Sequence, residues 1–344
     1  MKRKPCFLAL LLAAVLLLST CGLGAPAERY TLSLWYVEEE PLAAPLSLLL
    51  KGYPEQSGLS VSLRPFSDTE SLAKALDSGL VPDLLLGSHE LAFSLYDKGL
   101  LAEVGDISPR YPGWLALRSD CIGHGFYPVG FSLPLLVSRD VQDPRQLWTD
   151  TAAYGRWKGQ SFLCVENFAP LFYQALLDQG LEFTADPARD NLNQNYVNLY
   201  NSITEAAFTH GLSSDCRLDL PCRVEGSPSL IRRSWDGYYL SPLSEGDLLA
   251  EGYGLIVTAR EPRSLRNLPR FLGWLCEGKR LGRLALDAGL LPAVSDPLST
   301  DTPLQALLLS LRNRTLHLPD WNSGYAKNRE AFETSFRASL ELLH

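Results

Sequence analysis

The sequence predicts an α/β protein of two lobes, each a mainly parallel sheet flanked by helices. Between residues 30 and 99, short β-rich runs alternate with helical patterns in the order β-α-β-α-β-α, which favours parallel strands covered by helices. The apolar run FYPVGFSLPLLVSRD at 126–140 carries Pro128, Gly130 and Pro134; a strand punctuated in this way suits a crossover between lobes. SFLCVE at 161–166 then repeats a pattern from the first half, an apolar strand delivering a carboxylate to a helix start. At 344 residues the chain is long enough for two full cores.

Taken in order, YTLSLWY at 30–36 alternates and is β-rich, and Glu38, Glu39 and Glu40 follow at its exit. A helix is expected through Leu46–Leu50, then a strand over LSVSLRPF after Gly58. Ser67 with Glu70 reads as a capping box for a helix ending near Gly79. The strand Leu84–Leu86 next runs into Gly87, Ser88, His89 and Glu90, and a helix follows that stops at Gly99. In open α/β sheets such corners gather ligands, because helix N-termini offer unpaired N–H groups at the carboxyl ends of strands. The structural alternative is that Ser88 caps the helix and Glu90 is a favourable first-turn charge. Further on, helices are expected at 146–153, 192–208, 267–289 (with Pro269 in its first turn), 303–312 and 325–343. Strands are expected at 252–259 and, as an extended return, at 290–294.

The start of the chain has a different character. Lys2, Arg3 and Lys4 precede an apolar run from Phe7 to Leu18, short for a membrane span but suited to a secretory leader. Residues 1–20 are therefore expected to be a signal peptide and 21–29 a linker. Leu18-Ser19-Thr20-Cys21 resembles a lipobox, which would place a lipid on Cys21; Ala25-Pro26-Ala27 offers an ordinary cleavage site instead. The lipid-anchored form is the expected one, and both exits put the protein outside the cytoplasm. Losing the three leader charges takes the formal net charge from −8 to −11, and no basic stripe remains to suggest nucleic acid. In an oxidising compartment Cys216 and Cys222 are spaced to close a disulfide, while Cys121, Cys164 and Cys276 lie in apolar contexts that suggest burial.

No nucleophile elbow, HExxH, P-loop or dinucleotide turn occurs, and the five histidines lack metal-ligand spacing. The expectation is a binding protein without catalytic residues, metal or cofactor. Glu90 and Glu166 as a glycosidase pair form the rival enzymatic reading. Aromatic residues collect near strand ends: Trp35, Tyr36, Tyr127, Phe168, Trp235, Trp321 and Tyr325. Their flat faces could cover the apolar face of a sugar ring, or simply pack the core.

These motifs resemble those of the family 1 extracellular solute-binding proteins of ABC importers, the group that includes maltose-binding proteins. The resemblance runs from LSLWY to the last helix. It is carried by PDLLLGSHE with GLLAEV, by the 126–140 run, by FLCVENFAPLFY, by the 267–292 block and by LHLPDWNSGYAKNREAF. It implies a type II periplasmic-binding-protein fold, with lobe 1 formed by 30–130 and 252–296, and lobe 2 by 131–251 and 297–344. It further implies a monomer that delivers a solute, expected to be a carbohydrate, to a membrane permease. The implied ligand contacts are Trp35, Tyr36, Ser88, Glu90, Tyr127, Glu166, Phe168, Trp235, Trp321 and Tyr325. Gly87 stands where the maltose binders carry a stacking Trp, which suggests a roomier site. Glu38–Glu40, Glu90 and Glu166 would equally suit a cationic solute such as a polyamine.

Overall fold

The computed structural model describes residues 30–53, 58–99, 117–122, 125–138, 163–165, 173–174, 176–178, 180, 212–213, 222–226, 238–277, 279–295, 302–318, 334–335 and 338. The first half builds β1 (Tyr30–Val37), α1 (Ala43–Leu50), β2 (Leu59–Phe66), α2 (Thr69–Asp77), β3 (Leu84–Ser88) and α3 (His89–Asp97). After a 3-10 turn at Ser119–Cys121 come β4 (Phe126–Ser132), β5 (Pro134–Ser138), β6 (Leu163–Val165), β7 (Leu212–Ser213) and β8 (Cys222–Gly226). The remainder comprises β9 (Tyr239–Pro242), β10 (Leu248–Leu249), β11 (Glu251–Val257), α4 (Pro262–Cys276), α5 (Arg280–Asp287), β12 (Leu291–Pro292), α6 (Thr302–Leu311) and β13 (Leu316–His317). Among the described residues, no helix is long and apolar enough to cross a membrane.

Two larger sheets result. One has the order β12-β4-β11-β3-β1-β2, the other β7-β6-β8-β5-β9, and β10 with β13 forms a small ribbon. In the six-stranded sheet β1, β2, β3 and β4 run one way, while β11 and β12 run against them. Alternation along β1 explains its two faces. Leu32 and Leu34 join Leu46 of α1, Phe271 of α4 and Leu284 of α5 in one core; Trp35 and Val37 join Leu72 of α2 and Leu95 of α3 in the other. Helices thus cover both faces, as a largely parallel sheet requires.

The register is pinned at the other end of β3. Asp83 accepts from the Ser33 N–H (2.7 Å) and hydroxyl (2.9 Å), and its own N–H donates to Ser33 Oγ at 2.9 Å. Thr258 closes the staple by donating to the Pro82 carbonyl at 2.6 Å.

The run at 126–140 divides at Leu133: β4 belongs to the six-stranded sheet and β5 to the five-stranded one. The punctuation has a local cause. Pairing of β11 with β4 jumps from Tyr253–Gly130 to Gly254–Pro128, a bulge that lets a proline without an N–H sit in an interior strand.

Two helix starts differ from the sequence expectation. Asp68, not Ser67, caps α2, accepting from Ser71 N–H at 2.7 Å, while Ser67 donates to Asp68. Glu70 pairs instead with Lys74, one turn on, at 2.6 Å. The 267–289 block is two helices, α4 and α5. The first begins with Pro262 in its first turn and carries Pro269 inside, because Ser264, Leu268, Phe271, Leu272 and Leu275 repeat on one buried face that holds the helix together. The helices expected at 146–153 and 192–208 lie outside the described residues.

Candidate functional site

The six-stranded sheet gathers several acidic residues at one end of its strands. β1 and β3 are parallel neighbours, so Glu38–Glu40 after β1 and Ser88–Glu90 after β3 emerge on the same side. β11 runs against β3 and pairs Tyr253 with Ser88, which returns Glu251, at its start, to that end. Glu251 also pairs with Ser132, the last residue of β4 before the chain passes to the second sheet. Glu251 therefore stands at the crossover, with the β3 corner one strand and Glu38–Glu40 two strands further along the same side of the sheet.

At the β3 corner the chain makes a regular helix start. Ser88 is extended (φ −77°, ψ 163°) and its hydroxyl accepts from Leu91 N–H at 3.3 Å; Gly99, at φ 61°, ends the unit. His89 is buried edge-on against Phe126, with centroids 5.1 Å apart. Glu90 is exposed in the first turn, where the helix dipole favours its charge. Gly87 differs from its expected role. A Cβ there would lie 2.7 Å from Leu91 Cδ2 and 3.4 Å from Ile256 Cδ1, so the missing side chain makes room for core packing rather than for a solute.

Trp35 and Tyr127 also need correcting. Trp35 is 7 % exposed, tilted against Phe66 at 5.2 Å, with the Arg64 guanidinium 4.6 Å from its ring. Tyr127 is 2 % exposed and its hydroxyl contacts the Cys276 thiol. Both strands are covered on both faces, so these rings serve the core. Tyr36 is half-buried against the core shared with α1 and α4. Glu166, Phe168, Trp235, Trp321, Tyr325, Cys21 and Cys216 lie outside the described residues. The backbone of Cys222 is on β8. Among the described residues Cys121 and Cys276 are free thiols, and burial pushes the Cys121 thiol up to about 12.

The acidic exit of β1 has its own electrostatics. Glu38 and Glu39 are exposed, whereas Glu40 is half-buried, and burial raises its carboxyl to about 7. Its backbone is fixed in the turn: Glu40 N–H donates to Val37 O (3.1 Å) and its carbonyl accepts from Ala43 N–H (2.9 Å). A groove of about 900 Å³ runs from these three residues between α1 and α5, reaching Leu48, Arg280 and Asp287. Among the described residues, no cluster of three or more His, Cys, Asp or Glu side chains could hold a metal ion.

Glu251 and Tyr253 were not legible as edge residues, because only the antiparallel return of β11 puts them there. The Tyr253 hydroxyl donates to Glu251 at 3.3 Å. A charged residue opening an otherwise apolar strand is the one local signal that could have drawn notice.

No family model and no curated protein matches the chain's sequence. Solved structures do match. The sugar-binding protein MalE of the phytopathogen Xanthomonas citri superposes with a TM-score of 0.70 at 12% identity, over 91% of this chain and 95% of that one. The fold is that of the type II solute-binding proteins. The cyclic α-maltosyl-1,6-maltose binding protein of Arthrobacter globiformis gives 0.69 at 14% identity, over 92% and 94%. The spermidine/putrescine ABC transporter substrate-binding protein PotD of Streptococcus pneumoniae gives 0.61 at 12% identity, over 90% and 99%. Proteins named for sugar binding and for spermidine/putrescine transport are therefore both represented among the similar structures.

Proposed function

We propose that this chain is the extracytoplasmic solute-binding component of an ABC importer and that it captures a carbohydrate between two lobes. The observation that carries this is the one side of the sheet bearing Glu38–Glu40, Ser88, Glu90 and Glu251, with Glu251 at the β4–β5 crossover. It occurs in a fold shared, over nearly its whole length, with sugar-binding proteins. Carboxylates accept hydrogen bonds from sugar hydroxyls without covalent chemistry, and the chain acts as a binder rather than an enzyme.

The six-stranded sheet forms the core of lobe 1 (30–130 and 252–296) and the five-stranded sheet that of lobe 2 (131–251 and 297–344). Only a closed cleft lets both lobes touch one ligand, so binding selects the closed form. Glu166, Phe168, Trp235, Trp321 and Tyr325 complete the site from lobe 2 and the C-terminal run. The chain is exported by residues 1–20, held to the membrane by a lipid on Cys21, monomeric, and hands its solute to a permease. Cys216 and Cys222 form a disulfide.

The run of acidic residues at Glu38–Glu40 supports one alternative, a polyamine or other cationic solute. A thermal-shift screen separates the two. Stabilisation by oligosaccharides and not by spermidine or putrescine supports the carbohydrate reading, since a ligand at about a hundred times its Kd adds about 2.7 kcal/mol. Stabilisation by the polyamines alone overturns it.

A further inference from the structure

Between the two sheets lies a polar relay that neither the candidate site nor the cores use. It starts at the six-stranded sheet, where Leu117 bridges Val294 and Arg118 N–H donates to the Ala293 carbonyl at 3.1 Å. The Arg118 guanidinium, 10 % exposed, grips Asp120 (20 % exposed) through Nε at 3.1 Å and Nη2 at 2.7 Å. The same guanidinium donates to the carbonyls of Leu311 (2.9 Å) and Arg314 (2.6 Å), and Asp120 accepts from Leu316 N–H at 2.8 Å. One partly buried ion pair thus ties the segment before β4 to the end of α6 and to β13.

The relay continues into the other half. Arg314 donates to the Ser244 carbonyl, and Leu248 N–H donates to Thr315 O at 2.9 Å. Residues 244–249 lie between β9 of the five-stranded sheet and β11 of the six-stranded one. They are held in turn by Gln174, which accepts from Leu249 N–H (2.9 Å) and donates to Asp247 O (3.0 Å), and by Asp178, which accepts from Ser244 Oγ at 2.7 Å. Gln174 and Asp178 follow β6, a strand of the five-stranded sheet. Every link is a directional hydrogen bond; the links hold the connection at 243–250, and the Arg118 guanidinium lies 5.8 Å from the ring of Phe131, two residues before the other described connection at Leu133.

We infer that this relay, centred on Arg118 and Asp120, is the pivot that fixes the resting angle between the two lobes and so sets how readily they close. The inference rests on the two-lobed capture proposed above. It assigns Arg118 and Asp120 a positioning role, with no contact to solute. Apolar packing alone, through Phe131, Leu133, Leu135 and Leu304, is non-directional and would permit sliding; the fork of Arg118 onto one carboxylate and two carbonyls fixes orientation as well as distance. A ligand shifts closure only by its differential affinity for the two states, so a change at the pivot moves apparent affinity without touching the site.

The test needs no solute, which separates it from the identity of the ligand. In the full mature chain, small-angle scattering and amide hydrogen exchange are compared for wild type, Asp120→Asn and Arg314→Met. Arg314→Met breaks the relay at its outer link and leaves Arg118 and Asp120 in place. Both variants should raise the ligand-free radius of gyration by a few per cent from about 20 Å. Both should also speed exchange at Leu248 and Leu316 about tenfold or more, with Leu32 and Leu85 in the sheet unchanged. If Asp120→Asn fails to fold, Arg314→Met decides. A radius equal to wild type, with faster exchange confined to the amide that lost its own partner, would overturn the inference.

Discussion

Gly87 and Gly254 face each other across β3 and β11, and alanine at the two positions should have unequal effects. A Cβ at Gly254 would stand 2.2 Å from the Tyr127 carbonyl oxygen and 3.0 Å from Pro128 Cα. Both are backbone atoms at the β4 bulge, so relief requires moving an interior strand. A Cβ at Gly87 would stand 2.7 Å from Leu91 Cδ2, the far end of a side chain that can change rotamer. Overpacking costs about 1–3 kcal/mol and occasionally more, which places Gly87→Ala near about 1 kcal/mol and Gly254→Ala at about 3 kcal/mol or above. At an unfolding entropy of about 2.1 cal/mol/K per residue, a chain of 344 residues shifts by about 1.4 °C per kcal/mol, so Gly254→Ala should lower Tm by at least about 4 °C and Gly87→Ala by about 1–2 °C. Thermal unfolding of the mature chain, followed by circular dichroism, measures both. Equal shifts, or a larger shift for Gly87→Ala, would refute the packing argument. Gly87→Trp sharpens it: if position 87 opened onto the cleft the indole would be accommodated, whereas the contacts with Leu91 and Ile256 predict a chain that does not fold.

Glu40→Gln should change the pH dependence of stability. The folded-state carboxyl is raised to about 7 from 4.5, so the wild type loses stability as pH rises between these values, while the unfolded chain ionises freely. The variant should gain Tm relative to wild type at pH 8 and not at pH 4; equal pH profiles would contradict the burial. Asp120 behaves in the opposite sense. Burial alone would raise its carboxyl, but the Arg118 hydrogen bonds, the Leu316 N–H and the Arg118 charge together hold it low. Its contribution is complete above about pH 4 and is lost as pH falls through the lowered folded value; acid unfolding of Asp120→Asn should therefore begin from a lower Tm and lose less on acidification. Phe271, fully buried between α4 and the sheet, should cost about 3–5 kcal/mol on change to Ala, read from urea denaturation. Removing Asp83 as Asp83→Ala deprives the Ser33 N–H and hydroxyl of their acceptor and should cost about 1–3 kcal/mol, with faster amide exchange at Ser33.

Local patterns carried much of the fold. The alternation of YTLSLWY, the apolar run at Leu84 and the glycine stop at Gly99 each name their element because the information lies within a few residues. At the start of α2, Ser67 and Asp68 are both good caps, and the choice depends on which oxygen reaches Ser71 N–H. Pro269 has the sequence look of a first-turn proline, but the buried stripe from Ser264 to Leu275 starts α4 earlier and carries it through. The aromatics show the limit most clearly. Trp35 and Tyr127 stand near strand ends in sequence, but whether a ring faces solvent depends on helices contributed from far along the chain. Glu251 and the Arg118–Asp120 pair were illegible for the same reason, since antiparallel return and residues almost two hundred positions apart bring them into place. The β3 corner itself kept both of its possible meanings: Ser88 caps the helix, and Glu90 stands exposed beside it at the carboxylate edge.

The central claim, capture of a sugar between two lobes, is tested most directly by small-angle scattering of the mature chain with and without a saturating oligosaccharide that raises its Tm. The account predicts contraction of a few per cent from a radius of about 20 Å, abolished or weakened in Glu90→Gln. An unchanged radius at saturation, or contraction with spermidine and none with any sugar, would contradict it.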